Sequence, residues 1–167
     1  MPSSDRPILL LTTGGTIDKI YFDALSDYQV GDSVVTRLLE IARVQRPFRV
    51  EGVLRKDSLD LTDADRMQIR ARIVAAPEAL IVVTHGTDTM TDTAKALAGL
   101  AAKTIVLVGA LAPARFGDSD ASFNLGMAVA AVQLAAPGVY IAMNGTVFAA
   151  DRVVKDRARG AFVASDR

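Results

Sequence analysis

The stretch Leu80-Ile81-Val82-Val83, followed at once by Thr84-His85-Gly86-Thr87-Asp88-Thr89, decides the fold class of this chain. Four consecutive apolar residues indicate a strand buried on both faces, as in a parallel sheet covered by helices. Hydroxyls, a carboxylate and a glycine stand where this strand passes into a helix. In open α/β sheets, ligands bind beyond the carboxyl ends of the strands. The stretch therefore predicts a parallel sheet with a ligand site at one edge.

A second cluster of the same chemistry follows the apolar run Ile8–Leu11, in the order Thr12-Thr13-Gly14-Gly15-Thr16. Its two glycines permit a sharp turn and close approach of a ligand to the main chain. The Gly-x-x-x-x-Gly-Lys and Gly-x-Gly-x-x-Gly phosphate-binding patterns are both absent from it. Thr16 is either a nucleophile, which needs a neighbouring base, or a hydroxyl of a plain strand-to-helix turn. The two clusters are expected to converge on one pocket.

The remaining pattern alternates strands and helices, which predicts an α/β fold in one domain spanning residues 1–167. We expect a doubly wound, mostly parallel sheet with helices on both faces and a β-hairpin near the C-terminus. The predicted strands are Pro7–Thr12, Phe48–Leu54, Ala79–Thr84, Thr104–Gly109 and Gly138–Met143, the last joined by Asn144-Gly145 to Thr146–Ala149. The predicted helices run from a cap at Asp32 through Val44, from the capping box Thr62–Asp65 onwards, over Thr89–Ala102 and over Ser119–Ala136. The long polar stretch at about 17–31 is expected to be a flexible lid loop.

Composition excludes several classes of site. The formal net charge is zero, with 19 basic and 19 acidic residues, so nothing favours nucleic acid or an anionic membrane as partner. Cysteine is absent, which removes disulfides and thiolate catalysis, and the single histidine, His85, disfavours a metal site. No secretory signal or membrane-spanning segment is recognised, so we expect a cytoplasmic protein.

Each other candidate residue has two interpretations from the sequence. Asp88 either binds a cationic amine of a ligand or caps the following helix, as Thr89 also could. His85 is expected to form structural hydrogen bonds rather than to act as a base. Lys155 is either the base of a threonine or a surface lysine, and Tyr28 is either a lid residue or a surface tyrosine.

The predicted helix Ser119–Ala136 is apolar on nearly its whole circumference. A helix of this kind is either buried on the sheet or packed against another copy of the chain. We expect a homodimer or a dimer of dimers.

The chain resembles the bacterial-type L-asparaginases from about Ile8 to Val163. The segments Thr13–Ile17 and Thr84–Met90 look like the two threonine motifs of that family. Further segments that resemble it are Val108-Gly109-Ala110, Phe123-Asn124-Leu125 and Met143–Val147. The resemblance implies hydrolysis of the side-chain amide of L-asparagine to L-aspartate and ammonia, without a metal or organic cofactor.

The resemblance also implies residue roles. Thr16 would be the nucleophile that forms a covalent ester, and Tyr28 the lid tyrosine that assists it. Thr87, Asp88 and Lys155 would form a second triad, in which Lys155 polarises the Thr87 hydroxyl. The substrate-binding positions are Gly15, Ser58 for the α-carboxylate, Thr87, Asp88 for the α-amine, and the backbone at Ala110 for the reacting amide.

Two departures from the family pattern bear on substrate recognition. Full-length relatives have a further C-terminal domain that contacts the substrate amine, and we expect those contacts not to come from this polypeptide. Leu59 stands where many relatives have a polar residue such as Gln. Both departures leave amine recognition mainly to Asp88. A non-catalytic sensor of aspartate or asparagine, and a fragment completed by a separate chain, are the alternatives to a hydrolase.

Overall fold

The computed structural model of the protein describes residues 6–22, 24, 26–100 and 102–165. Its strands are β1 (Ile8–Gly14), β2 (Lys19–Phe22), β3 (Asp27–Val30), β4 (Phe48–Lys56), β5 (Leu80–Thr84), β6 (Thr104–Val108), β7 (Gly138–Met143), β8 (Thr146–Ala149), β9 (Val153–Asp156) and β10 (Ala161–Ala164). Its α-helices are α1 (Val35–Ile41), α2 (Asp63–Ala75), α3 (Met90–Ala96) and α4 (Ala121–Leu134).

One six-stranded sheet organises the fold, with the strand order β4-β1-β5-β6-β7-β8. Its first five strands are parallel, and β8 returns antiparallel to β7 through the turn at Asn144-Gly145. The predicted mostly parallel sheet and its β-hairpin are therefore confirmed.

Helices cover both faces of the sheet, which explains why its central strands are continuously apolar. Along β1, Leu9 and Leu11 pack in one core with α2 and α3, whereas Ile8 and Leu10 pack in another with α1 and α4. Successive side chains of a strand point to opposite faces of the sheet. When both faces are covered by helices, every position of the strand is therefore buried and apolar residues are favoured throughout. Among the described residues, no helix has the length and apolar character needed to cross a bilayer.

Several predicted boundaries are wrong. Strand β4 runs two residues beyond Leu54, to Lys56. Helix α1 begins at Val35 and Asp32 does not cap it; the Asp18 carboxylate instead accepts the Val34 N–H at 2.9 Å. Helix α3 ends at Ala96 rather than Ala102, before Gly99 with its left-handed φ of 78°.

The segment at 17–31 is not the irregular loop that we expected. Residues Thr16–Asp18 form a short 3-10 helix, and β2 and β3 then pair as an antiparallel hairpin with Tyr21 opposite Tyr28. Aromatic and β-branched residues alternating with polar ones favour such a half-exposed ribbon. Residues 23 and 25 lie outside the described residues, and flexibility of this segment stays a prediction.

A second hairpin, β9–β10, carries Lys155 and was not predicted. Val153 and Phe162 anchor it in the core that also contains Met90 of α3. The Asn144 side chain accepts the Phe162 N–H at 2.8 Å, which ties this hairpin to the turn after β7. The packing places Lys155 near the N-terminal end of α3.

Candidate active site

The connections after β1, β4, β5 and β6 meet at the carboxyl edge of the sheet because glycines let them touch. A Cβ added to Gly15, whose φ is 88°, would lie 2.4 Å from the Gly86 nitrogen. One added to Gly86 would lie 2.6 Å from the Ser58 Cβ, and one added to Gly109 would lie 2.3 Å from the His85 carbonyl oxygen. No real side chain tolerates such distances, so the close approach of these loops requires glycine.

Hydroxyl groups tie the same connections together. Thr13 Oγ1 donates to the Thr84 carbonyl at 2.8 Å, and Thr89 Oγ1 donates to the Ser58 carbonyl at 2.8 Å. The two threonine- and glycine-rich clusters therefore converge as predicted. Thr89 stands at the N-cap of α3 but its side chain makes no capping hydrogen bond, so the capping interpretation fails for that residue.

The central observation is a hydrogen-bonded group of three side chains. Lys155 Nζ donates to Thr87 Oγ1 at 2.8 Å and to Asp88 Oδ1 at 2.7 Å. Thr87 is buried, and the side chains of Lys155 and Asp88 are 15% and 35% exposed. Charge-assisted hydrogen bonds of this length are stronger than neutral ones, so Lys155 orients both side chains. Lys155 is thus not a free surface lysine, and the Asp88 carboxylate forms an ion pair with it through Oδ1.

His85 has the structural role expected for it. Its ring is fully buried, with Nδ1 2.7 Å from the Gly86 carbonyl oxygen and Nε2 2.7 Å from Thr93 Oγ1. Because a carbonyl can only accept, the proton lies on Nδ1 and Nε2 accepts from Thr93. Burial lowers the pKa of His85 to about 4. The histidine is therefore neutral near pH 7 and has no nitrogen free to act as a base.

Thr16 and Thr87 each follow a glycine of the touching pair Gly15 and Gly86. Thr16 is half-buried at the start of the 3-10 helix, and its hydroxyl makes no hydrogen bond within the part of the chain that the structure describes. The backbone before it is fixed, because the Gly15 N–H donates to the Lys56 carbonyl at 3.0 Å.

Tyr28 makes no hydrogen bond to this group among the described residues. Its ring is 48% exposed and contacts the rings of Tyr21 and Phe116 edge-on, with centroid distances of 5.4 Å and 5.9 Å. Across the described residues its hydroxyl has no hydrogen-bond partner. The structure therefore does not join Tyr28 to Thr16.

Ser58 and Ala110 line the same edge and are both about 1% exposed. The Ser58 hydroxyl packs against Gly86 and has no hydrogen-bond partner among the described residues. Ala110 packs with Ile17 and Val34 beneath the 3-10 helix. Leu59 is 65% exposed beside Ser58. Because an unpaired buried hydroxyl is destabilising, the Ser58 side chain would gain from a ligand that accepts its proton.

The sequence does not predict the contributions of Asp18 and Asp120. Asp18, two residues after Thr16, is buried, and burial raises the pKa of its carboxyl although the Val34 N–H is donated to it. Asp120 accepts the N–H groups of Leu111 and Ala112, both at 3.0 Å. Any residue except proline can supply a main-chain N–H, so the sequence does not reveal which carboxylates bind such groups.

Comparison with known proteins identifies the family. The protein-family model "Asparaginase, N-terminal" matches residues 7–165. This chain belongs to the asparaginase family. The predicted family resemblance is therefore confirmed.

The similar proteins carry names that describe more than one activity. The chain is 32% identical over 165 residues to "Probable L-asparaginase periplasmic" of Haemophilus influenzae, covering 92% of this chain and 47% of that protein. It is also 32% identical to a glutamyl-tRNA(Gln) amidotransferase component of Methanococcus vannielii, covering 85% of this chain and 35% of that protein.

The fold also matches solved asparaginase structures. The crystal structure of a probable cytoplasmic L-asparaginase from Campylobacter jejuni superposes with a TM-score of 0.80 and 30% identity, covering 96% of this chain and 52% of that chain. The chain thus spans about half the length of these two asparaginases and about a third of the amidotransferase component.

Proposed function

We propose that this protein hydrolyses the side-chain amide of L-asparagine to L-aspartate and ammonia. The observation that carries the proposal is the hydrogen-bonded group of Lys155, Thr87 and Asp88. It lies beside the contact between Gly15 and Gly86, which brings the Thr16 loop to the Thr87 loop. Hydroxyls on two loops that contact each other, one of them bonded to a partly desolvated lysine, suit attack on a small amide.

In the proposed reaction Thr16 is the nucleophile. Its hydroxyl oxygen bonds to the side-chain carbonyl carbon of asparagine, the carbon–nitrogen bond breaks, and the nitrogen leaves as ammonia with the hydroxyl proton. Water then adds to the resulting ester, the bond to Thr16 breaks, and the threonine regains a proton. Aspartate is released, and neither a metal nor an organic cofactor takes part in either step.

The other site residues bind and orient the substrate. Thr87 accepts a hydrogen bond from Lys155, which leaves its own proton free to point at a ligand. Asp88 Oδ2 has no partner among the described residues and would take the substrate amine. The unpaired Ser58 hydroxyl would take the α-carboxylate after a local rotation. Gly15 and Ala110 would offer main-chain groups to the reacting amide.

Tyr28 would assist Thr16 only after the β2–β3 hairpin moves. In the structure its ring packs edge-on against Phe116, and no hydrogen bond among the described residues joins its hydroxyl to Thr16. We propose that substrate binding draws this hairpin over the site, as closing loops do in other enzymes. We also propose action in the cytoplasm, without nucleic acid or membrane partners.

An ammonia-release assay with asparagine and glutamine tests the function. We expect release from asparagine, and its loss to background in Thr16→Ala, because binding cannot replace a missing nucleophile. Thr16→Ser should retain part of the turnover. Thr36→Ala is the matched control, because Thr36 is exposed on α1 and makes no side-chain hydrogen bond among the described residues. Background release by the unmodified protein would refute the proposal.

A second candidate is binding of aspartate or asparagine without hydrolysis. The lack of a hydrogen bond between Tyr28 and Thr16 favours it, since the Tyr28 ring instead contacts Phe116 and is 48% exposed. Calorimetry that detects aspartate binding, while ammonia release stays at background, would establish this alternative.

A further inference from the structure

The connection between β6 and α4 folds back on the carboxylate of Asp120. Leu111 N–H lies 3.0 Å from both carboxylate oxygens, and Ala112 N–H lies 3.0 Å from Oδ1. The described peptide bonds are trans, and in a trans peptide the N–H and the preceding carbonyl point in opposite directions. Because Asp120 holds the N–H of Leu111, it turns the carbonyl of Ala110 away from itself.

Asn124 fixes the orientation of the preceding peptide group, which joins Gly109 to Ala110. Its amide nitrogen donates to Asp120 Oδ2 at 2.7 Å and to the Gly109 carbonyl at 3.0 Å, and the side chain is 2% exposed. Since the Gly109 carbonyl points at Asn124, the N–H of Ala110 points away from it. The pair of side chains therefore sets the direction of both main-chain groups of Ala110.

The main-chain groups of Ala110 are left without protein partners. Within the described residues neither its N–H nor its carbonyl makes a backbone or side-chain hydrogen bond, although the residue is 1% exposed. Buried main-chain groups are nearly always paired, so an unpaired N–H and carbonyl at one residue indicate a missing ligand or water. Gly109, the residue before, lies against His85 and Thr87, which places these groups beside the Lys155 group.

We infer that Asp120 and Asn124 are positioning residues that aim the main-chain groups of Ala110 at the reacting amide. The inference rests on the proposed hydrolysis. A carbonyl held in this way accepts a hydrogen bond from the amide nitrogen as it leaves as ammonia. A preorganised group of this kind acts on the transition state more than on the bound substrate, whose ends are held by Asp88 and Ser58.

Asp120→Asn tests the inference with little change of shape. One carboxylate oxygen becomes an amide nitrogen, which cannot accept a hydrogen bond, and the remaining oxygen loses its negative charge. Leu111 N–H therefore loses one of its two acceptors and is bonded more weakly by the other, so the direction of the Ala110 carbonyl is held less firmly. We expect kcat for ammonia release to fall about 10- to 100-fold with KM within about threefold of the unmodified value. Asp118→Asn removes the same charge from the same connection, where Asp118 is exposed and unbonded among the described residues, and should change neither constant.

A structural measurement separates this inference from the proposed function. Amide hydrogen exchange at Leu111 and Ala112 should accelerate in Asp120→Asn and stay unchanged in Asp118→Asn. Addition of L-aspartate should shift the Ala110 amide resonance in the unmodified protein, and Asp120→Asn should abolish that shift. These readouts need no turnover, so absence of ammonia release would refute the hydrolysis alone.

Asn124→Ser gives a second route if Asp120→Asn does not fold. It removes the bridge to Gly109 but leaves the two N–H groups on Asp120, so we expect a several-fold loss in kcat with unchanged KM. The inference is overturned if Asp120→Asn, shown to be folded by circular dichroism, keeps kcat within twofold. It is also overturned if exchange at Leu111 and Ala112 does not change, or if the loss falls on KM.

Discussion

Lys155 Nζ lies 2.8 Å from Thr87 Oγ1, although the two residues are 68 positions apart in the chain. The contact exists because the β9–β10 hairpin packs its apolar side chains beside α3 and so directs Lys155 towards the loop after β5. The same nitrogen donates to Asp88, so a single side chain orients both Thr87 and Asp88 of that loop.

Replacing Lys155 tests this relationship. Lys155→Met should reduce kcat/KM for ammonia release by about 10²- to 10⁴-fold, because Thr87 loses its donor and Asp88 its counter-ion. Lys155→Arg keeps the charge but has a planar head group, so we expect only partial recovery. Lys95→Met is the control, since Lys95 is exposed on α3 and unbonded in the described part of the chain. A Lys155→Met protein with activity within threefold of the parent would contradict the assignment.

Gly15 should tolerate no side chain. Its φ of 88° and ψ of −173° lie in a region used almost only by glycine, and an added Cβ would meet the Gly86 nitrogen. We expect Gly15→Ala to lower the free energy of unfolding by about 2–4 kcal/mol and to abolish ammonia release. Gly160→Ala is the matched control, because Gly160 also has a positive φ, of 60°, but an added Cβ would have no atom within 4 Å. This variant should lower the free energy of unfolding by only about 1 kcal/mol. If urea denaturation gives the same loss of unfolding free energy for Gly15→Ala and Gly160→Ala, the close contact between Gly15 and Gly86 does not contribute to stability.

Phe116 should restrain the hairpin that carries Tyr28. An edge-to-face aromatic contact contributes about 1 kcal/mol, which corresponds to a factor of about five in a rate or population. Phe116→Ala should therefore accelerate amide exchange in β3 and raise turnover by at most about fivefold, because Tyr28 leaves its resting position more easily. Phe116→Tyr keeps the contact and should behave as the parent. A tenfold fall in turnover would mean instead that Phe116 holds Tyr28 in its working position.

His85 should titrate far below an ordinary histidine. The chain contains a single histidine, so its NMR titration is unambiguous, and we expect a midpoint of about 4. The folded-state pKa is depressed below the unfolded value near 6.5, so neutral His85 stabilises the fold fully above that pH. This stabilisation, about 3 kcal/mol, should be lost as pH falls from about 6.5 to 4.

A glutamine variant isolates the histidine contribution to acid unfolding. In His85→Gln the free energy of unfolding should vary less with pH over that range, because a neutral amide cannot be protonated. Asp65, whose pKa is lowered to about 2 by the Thr62 N–H, acts in a separate and more acidic range. Identical pH dependence in the two proteins, or a midpoint near 6.5, would contradict the buried neutral histidine.

The sheet and its ligand edge could be predicted because their causes are local in the sequence. Burial on both faces makes β1 and β5 continuously apolar, and parallel strands bring their carboxyl ends to one edge, so Thr16 and Thr87 could be placed together. The turn residues Asn144-Gly145 marked the β7–β8 hairpin in the same way.

Other features depend on contacts that residue patterns do not reveal. Lys155 lies on a four-residue strand of a small hairpin, and on sequence alone it is indistinguishable from a surface lysine. The β2–β3 hairpin could not be predicted because each strand has only four residues and β3 is largely exposed, so neither strand forms a long apolar run. Asp120 acts on main-chain N–H groups, which any residue can offer, so its partners could be found only from the structure.

Helix α4 should form a contact between two copies of this chain. The helix contains no charged residue, and Phe123 and Leu134, 65% and 86% exposed, stand on one stripe with Met127 and Ala130. An exposed apolar stripe at this spacing is typical of helix pairing, and an uncharged stripe can meet its own copy without repulsion. We therefore expect sedimentation at micromolar concentration to give twice the 17.7 kDa chain mass.

A charge placed on this stripe should separate the copies. Leu134→Glu should sediment as a single chain while retaining its circular dichroism, because a buried unpaired carboxylate opposes association. Val74→Glu makes the same change on α2, where Val74 is also exposed, at 59%, and should leave the assembly intact. Sedimentation of the unmodified protein as a single chain would refute the pairing. A Leu134→Glu protein that still sediments as a pair would show that another surface joins the copies, because the α4 stripe would then carry a charge without effect.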